Sequence, residues 1–146
     1  MLETLNILGA LCAIWIYTFS IVVFIARLRD NPLLERAAGI INFLSAFPLV
    51  YLLITANQYN RPILYYVQIG FMLLWILVTL LVDYIFHYHF RDNLRLVIVY
   101  VMLFFAGTGG MLGVASLAGS DWMIAAVVLF FLMTGLTFYQ RAKTGK

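Results

Sequence analysis

The chain has 146 residues, of which 65% are hydrophobic and only 10% are charged, and its mean hydropathy is +1.02. A soluble domain carries about 25% charged residues, so this chain has too few charges to cover a water-facing surface. Its net charge of +3 comes from basic residues that are spread out rather than clustered, which argues against a nucleic-acid-binding patch.

Five apolar stretches, each long enough to cross a bilayer, fill most of the chain. We predict transmembrane helices over residues 5–26, 33–55, 63–86, 94–117 and 122–139. The gaps between them leave no room for a soluble domain, so the chain is predicted to be one all-α domain, 1–146, folded as a bundle of five transmembrane helices. Pro48 predicts a kink in the second helix because it leaves the Leu44 carbonyl without its helical donor, and Ser45 is near enough to satisfy that carbonyl.

The basic residues predict the orientation of the bundle. Eight of the nine lie in the tail or in or beside the odd-numbered gaps, whereas Arg61 lies in an even-numbered gap. Because basic ends stay in the cytoplasm, the N-terminus is predicted outside and the C-terminus inside. An alternative merges the last two stretches into a re-entrant element and puts the tail outside, against this bias. The rim expected to contact anionic lipid headgroups comprises Arg27, Arg29, Arg36, Arg91, Arg95, Arg141 and Lys143.

Asp83 is the strongest candidate for chemistry. It lies eight residues before Arg91, and therefore about 12 Å deeper along a helix that rises 1.5 Å per residue. A lone carboxylate at the bilayer centre costs about 3 kcal/mol on insertion scales, so Asp83 is expected to face inward and find a partner. His87 follows four residues later, on the same face of the predicted helix. Asp83 is either a structural partner that ties helices together, which we favour, or a proton-carrying or ligand-binding group.

Other polar residues extend this face into a seam through the bundle. Helical spacing aligns Gln68 and Thr79 with Asp83, and Asn42 on the second helix is expected to join them. The candidate polar intramembrane site therefore comprises Asp83, His87, Thr79, Gln68 and Asn42. Interhelical hydrogen bonds, worth about 0.6 kcal/mol each in membrane bundles, are the explanation that we favour over a ligand site.

We predict no metal ion and no cofactor. His87 and His89 are two residues apart, so they point about 200° away from each other on a helix and cannot hold one ion. The single cysteine, Cys12, lies far from them and excludes a site built from several cysteines. A haem shared between two chains across a dimer stays open.

Small residues in the fourth helix predict close helix packing. Gly109 and Gly113 form a GxxxG pair, and Ala106 and Gly110 form a second small pair. Such faces allow helices to approach within one chain or between copies. A phosphate-binding loop is excluded because no strand precedes these glycines and no Lys-Ser/Thr follows them.

The leading functional hypothesis is a non-enzymatic accessory or self-associating membrane module. Its expected partners are membrane lipids and either further copies of the chain or a partner membrane subunit, with no nucleic acid. Two alternatives stay open: a small-solute or proton-linked transporter or channel that uses Asp83, and an enzyme on a lipid or quinone that uses Asp83 and His87. Short loops without glycosylation sequons favour the plasma membrane of a prokaryote. A polar cavity that reaches Asp83 would favour transport or catalysis, whereas a filled interior would favour a structural role.

Overall fold

The computed structural model describes residues 1–87 and 92–145, and this part of the chain contains helices and turns but no strand. The helices are α1 (Leu2–Leu28), α2 (Pro32–Phe43), α3 (Ala46–Ala56), α4 (Ile63–Thr79), α5 (Leu94–Ser116) and α6 (Ser120–Thr144). A 3₁₀ turn, Asn57–Tyr59, follows α3, and a π-helix, Leu80–Ile85, continues α4.

The described residues form five helical stretches that are long and apolar enough to cross a membrane, with α2 and α3 counted together and the π-helix counted with α4. The predicted all-α fold of five membrane-spanning helices is therefore confirmed. Helix α5 runs without a break through the glycines at 107–113, and a turn at 117–119 separates it from α6, so the break that the merged, re-entrant alternative required is absent.

Helix α1 lies at the centre of the bundle, where it packs against α2, α3, α5 and α6, while α4 packs along α5. Ile16 and Tyr17 of α1 are fully buried together with Met72 of α4 and Met111 of α5. The Tyr17 hydroxyl donates a hydrogen bond to the Thr108 carbonyl oxygen at 2.6 Å. This bond satisfies the buried hydroxyl, so a tightly packed layer can form across the middle of the bundle.

Large apolar side chains cover the outside of the bundle. Phe47 is 74% exposed, and Met102 and Phe131 are each 67% exposed. A water-facing surface of this kind would promote aggregation, whereas hydrocarbon solvates it well. The apolar character of the exposed surface and the length and hydropathy of the helices both indicate an integral membrane protein.

The second membrane-spanning stretch is interrupted rather than merely kinked. Helix α2 ends at Phe43 and α3 begins at Ala46. Because Pro48 has no N–H, the Leu44 carbonyl accepts a hydrogen bond from the Phe47 amide at 3.3 Å instead. The Ser45 hydroxyl donates to the Asn42 carbonyl at 2.7 Å, and not to that of Leu44 as the sequence suggested. The break leaves α2 packed mainly on α1, while α3 packs on both α1 and α4.

Candidate functional site

A cavity of about 390 Å³ lies at the end of the bundle where α1 ends and α2 begins. Its volume is within the range of about 300–1,000 Å³ that is typical of small-molecule sites. Its walls come from α1, α2, α4 with its π-helix, α5 and α6. We call it the basic-end cavity because three arginines line it. Its polar and charged lining residues are Ser20, Arg27, Glu35, Arg36, Asn42, Thr79, Asp83, Tyr84, Tyr100, Thr137, Gln140 and Arg141.

The cavity reaches from the charged rim into the apolar interior. On α1 the lining runs from Arg27 back to Ser20, which is about 10 Å at 1.5 Å per residue. Its inner wall is largely aromatic, since Trp75 and Phe104 both line it with their ring centroids 5.2 Å apart. Below this wall lies the packed layer around Tyr17, which closes the cavity toward the other end of the bundle.

Two hydrogen-bonded pairs form polar points on this inner wall. The Asn42 amide nitrogen donates to the Ser20 hydroxyl at 3.3 Å, and the hydroxyls of Thr79 and Tyr100 lie 2.9 Å apart. Asn42 is only 6% exposed, and its side-chain oxygen has no hydrogen-bond partner among the described residues. The indole nitrogen of Trp75 is unpaired in the same sense. Orphaned buried polar atoms of this kind are uncommon, so they call for water or a ligand.

The π-helix brings Asp83 and Tyr84 to the cavity wall. Within Leu80–Ile85 the backbone bonds span five residues rather than four, and the last of them joins the Phe86 amide to the Leu81 carbonyl at 2.8 Å. Such widened turns are frequent at functional sites, because they change the direction in which side chains project. The sequence carried no signal for the π-helix, which interrupts the predicted uniform helix over 63–86.

Tyr84 holds the π-helix against α2. Its ring packs edge-on against Phe43, with centroids 4.9 Å apart, and its hydroxyl lies directly over Gly39. A Cβ atom on Gly39 would overlap that hydroxyl and would lie 3.1 Å from the ring carbon that carries it. The absence of a side chain at Gly39 therefore allows Tyr84 to close one side of the cavity.

His87 does not join Asp83, contrary to the geometry predicted for a continuous helix. The helical stretch ends before His87, which has a positive φ of 49° and an exposed side chain. Its Nδ1 atom lies 3.3 Å from the Ile85 carbonyl oxygen, and the residue does not line the cavity. The four-residue spacing does not place the two side chains on one face, because the π-helix and the end of the helical stretch change the backbone path between them. His89 lies outside the described residues.

The charged rim of the cavity contains one ion pair among the residues that the structure describes. The Arg27 guanidinium contacts the Glu35 carboxylate at 2.6 Å, which joins the end of α1 to the start of α2. Both side chains are partly exposed, so this bond is worth at most about 1 kcal/mol. Arg36 and Arg141 also line the cavity, from α2 and α6 respectively. Three arginines thus stand against two carboxylates, Glu35 and Asp83, which leaves the described lining with an excess of one positive charge.

The other basic residues of the predicted rim lie away from the cavity. Arg29, Arg95 and Lys143 are at the same end of the bundle but do not line it. The Lys143 ammonium lies 6.0 Å from the centroid of the Tyr139 ring, a common arrangement at headgroup depth. Arg91 lies outside the described residues, so the prediction made for it stays a prediction.

Gln68 belongs to a different place from the rest of the predicted polar seam. Its side chain packs at the contact between α4 and α5, against Gly110 and Gly113, whereas Asp83, Thr79 and Asn42 meet at the cavity. Gly107 belongs to the same helix contact, because a Cβ atom there would lie 3.1 Å from the Met72 Cα atom.

The other two small residues of the predicted packing pairs, Ala106 and Gly109, face outward. A Cβ atom on Gly109 would meet nothing within 4 Å, and Ala106 is exposed. The predicted GxxxG pair is therefore split, since Gly113 faces α4 while Gly109 does not.

Several cavity residues could not be recognised from the sequence. Tyr84 and Glu35 each lie close to the predicted rim, where aromatic residues at headgroup depth and solvated charges are ordinary. Tyr100 and Gln140 carry polar groups near helix ends, where polar residues are ordinary. The only available signal was the number of polar side chains at one end of the bundle, and that signal does not say which of them meet.

The fold and the cavity define a polytopic helical membrane protein with a partly enclosed cavity at one end, which has a charged rim and a largely apolar inner wall. Comparison of the chain with protein-family models, with curated proteins and with solved structures finds no match. The cavity itself is therefore the basis for a functional assignment.

Proposed function

We propose that the protein is a non-enzymatic membrane module that binds a small molecule in the basic-end cavity. The observation that carries the proposal is the cavity of about 390 Å³, which combines a charged rim with an aromatic inner wall. Pockets that bind small molecules are largely apolar and contain a few converging polar groups. With the positive ends held inside, the cavity would face the cytoplasm from the plasma membrane, and the prokaryotic setting is part of this proposal.

The packed layer below the cavity favours binding from one side over conduction. The side chains of Ile16, Tyr17 and Met111 are 0% accessible, so they fill the space between the cavity and the opposite end of the bundle. A channel would need a continuous polar path through this layer. The arrangement instead suits a module that takes up a ligand at one rim and holds it there.

Proton-linked transport through Asp83 is the second candidate function. It is favoured by the π-helix, which puts a carboxylate on the wall of a cavity that reaches toward the bundle centre. Irregular helices that present such groups are typical of transport sites. If this function is correct, proton flux into liposomes under a membrane potential will fall when Asp83 is changed to Asn; an unchanged flux would rule it out. The enzymatic alternative loses its acid–base pair, since His87 lies apart from Asp83.

Self-association is a further proposal of ours, with a more restricted surface than the sequence suggested. Gly110 and Gly113 already pack against Gln68 of α4. A second copy or a partner subunit would therefore bind to the outward face around Ala106 and Gly109. Membrane lipids would cover this face in the absence of a partner.

Trp75 offers a direct test of binding in the cavity. A variant that keeps only Trp75 (Trp15→Phe and Trp122→Phe) is expected to show saturable fluorescence quenching by dibromostearate in lipid nanodiscs, because bromine quenches at short range. The matched control variant keeps only Trp15, which is 41% exposed on the outside of the bundle. Its quenching measures the background from dibromostearate that is dissolved in the lipid.

Filling the cavity should abolish the saturable part of this quenching. Val101 lines the cavity, whereas Val99 is 64% exposed and does not line it. Val101→Phe in the Trp75 variant is expected to remove saturation, and Val99→Phe is expected to preserve it. Quenching of Trp75 that never exceeds the Trp15 background would contradict the proposed function.

Orientation can be tested with single cysteines in a Cys12→Ala background. We expect cysteines at Asn31 and Gly145 to react with an impermeant maleimide from the same side of the membrane, and a cysteine at Asn60 to react from the opposite side. The physical reason is that the first two positions lie beside the basic ends, which resist translocation. Labelling of Asn31→Cys and Gly145→Cys from opposite sides would overturn the predicted topology.

A further inference from the structure

We infer that the ligand of the basic-end cavity is an anionic amphiphile, whose carboxylate or phosphate group is bound by Arg36 and Arg141 while its apolar chain lies along the inner wall toward Trp75. This inference rests on the proposed function, and it adds the chemical class of the ligand and the residues that select it.

The first step is the distribution of charge at the cavity rim. Arg27 is neutralised by Glu35, which contacts it at 2.6 Å. Among residues 1–87 and 92–145, no carboxylate lies within salt-bridge distance of Arg36 or Arg141. These two side chains come from α2 and α6, so they approach the cavity from different walls. The rim therefore presents two guanidinium groups whose charge no described residue neutralises by direct contact.

The second step is the chemistry of the guanidinium group. Its planar array of donors fits the oxygen atoms of a carboxylate or a phosphate, and bonds to such anions are stronger than those between neutral groups. Arg141 is partly buried, which strengthens its attraction for an anion further, whereas Arg36 is exposed at the rim. Arg36 and Arg141 are therefore suited to an anionic group at the rim rather than to a cation or an uncharged solute.

The third step is the character of the inner wall. Beyond the rim, apolar side chains dominate the lining, namely Val23, Phe24, Trp75, Val97, Val101 and Phe104. A small inorganic anion would leave this wall unfilled and wet, at a cost in hydrophobic free energy. An alkyl or acyl chain attached to the anionic group would cover it. The two ends of the cavity together specify an amphiphile.

The test uses the variant that keeps only Trp75 and compares three brominated probes in nanodiscs of uncharged lipid. Dibromostearate supplies a carboxylate, brominated phosphatidylglycerol supplies a phosphate, and a brominated monoacylglycerol supplies the same kind of chain without a charge. We expect saturable quenching by one or both anionic probes at concentrations about tenfold lower than for the uncharged probe, the difference that one charge-assisted hydrogen bond produces. Which of the anionic probes binds identifies the source of the anion, a free fatty acid or a lipid headgroup.

The arginines are tested by substitution with matched controls. Arg36→Gln together with Arg141→Gln is expected to lower the affinity for the anionic probes by at least about tenfold and to leave the uncharged probe unaffected. Arg29→Gln, at the same rim but outside the cavity, is expected to change neither. Thermal unfolding of each variant shows whether a loss of binding reflects a loss of fold.

The outcomes separate this inference from the proposed function. Equal saturable quenching by charged and uncharged probes would overturn the anionic assignment while leaving a binding cavity in place. Unchanged affinities in the double arginine variant would do the same. If inorganic phosphate displaced the brominated probes and bound with the same affinity as they do, the assignment of an apolar chain to the ligand would be overturned. An absence of saturable quenching by all three probes would contradict both.

Discussion

Gly107→Leu is expected to destabilise the bundle by about 3 kcal/mol, whereas Gly109→Leu, two residues further along the same helix, is expected to have little effect. The difference arises from the neighbours of the two glycines. A Cβ atom on Gly107 would lie 3.1 Å from the Met72 Cα atom and 3.2 Å from the Phe71 carbonyl oxygen, so it would press on the backbone of α4. Backbone atoms cannot turn aside as a flexible side chain can, and the remaining atoms of leucine would force the helices apart.

The measurement is the free energy of unfolding in detergent micelles or bicelles, with Gly109→Leu as the matched control for the change in helix propensity. A Cβ atom on Gly109 would meet nothing within 4 Å, so a leucine there has room. Similar stabilities of the two variants would contradict the packing of α4 on α5 described above.

The Gly109 variant also tests self-association independently of folding. Since Gly109 and Ala106 face outward, leucine at position 109 would block close pairing of two copies while leaving each copy intact. A change in oligomeric state in nanodiscs with unchanged stability would support pairing through this face. A protein that is monomeric before and after the substitution would rule it out.

The second large effect is expected at Gly39, where alanine should be harmful only in the presence of the Tyr84 hydroxyl. In an open helix, Gly→Ala stabilises by about 1 kcal/mol. Here the added methyl group would overlap the hydroxyl of Tyr84, so we expect Gly39→Ala to destabilise the protein by about 2 kcal/mol. Tyr84→Phe removes the overlapping oxygen; the nearest remaining ring carbon is 3.1 Å from the new methyl group, so the ring needs to shift by only a few tenths of an ångström.

A double-mutant cycle measures this coupling directly. We expect Gly39→Ala to be close to neutral in the Tyr84→Phe background, which corresponds to a coupling of about 2 kcal/mol between the two positions. The same set of variants should change ligand binding in parallel, since Tyr84 and Gly39 both line the cavity.

Gly70 in α4 provides the matched control for this cycle. A Cβ atom on Gly70 would meet nothing within 4 Å, so Gly70→Ala adds the same methyl group to a helix without an overlap. We expect it to stabilise the protein slightly, and by the same amount whether residue 84 is tyrosine or phenylalanine. Equal effects of Gly39→Ala in both backgrounds would show that Tyr84 does not rest on α2.

The membrane helices were predictable from the sequence because the signal for them is local. Residues 94–117 are apolar over the length of a bilayer wherever the rest of the chain lies, and the structure places α5 at Leu94–Ser116. Pro48 likewise predicted a disturbance in the second helix, because a missing N–H acts on its own helix. The clustering of Asp83, Thr79 and Asn42 was anticipated in part, since polar side chains in a bundle turn away from lipid.

The parts of the site that the sequence did not reveal depend on contacts between distant residues. Helical spacing places Gln68 on the same predicted face as Thr79 and Asp83. In the structure Gln68 packs against α5 instead, because glycines there leave space for its side chain. His87 does not lie beside Asp83 as predicted, because the helix becomes a π-helix at Leu80–Ile85 and ends before His87. No residue type in the sequence predicts such a π-helix. Glu35 lines the cavity only because α2 folds back against the end of α1.

The sequence alone determined that this chain forms five apolar helices, because the transfer of each segment into hydrocarbon depends on its own composition and length. The tertiary structure alone decided which polar side chains share the basic-end cavity. Helix rotation, the break before α3 and the π-turn set those positions, and each reflects packing between segments that lie far apart in the chain. Tyr84 and Gly39 illustrate the difference, since neither residue has a recognisable role until the two helices that carry them meet.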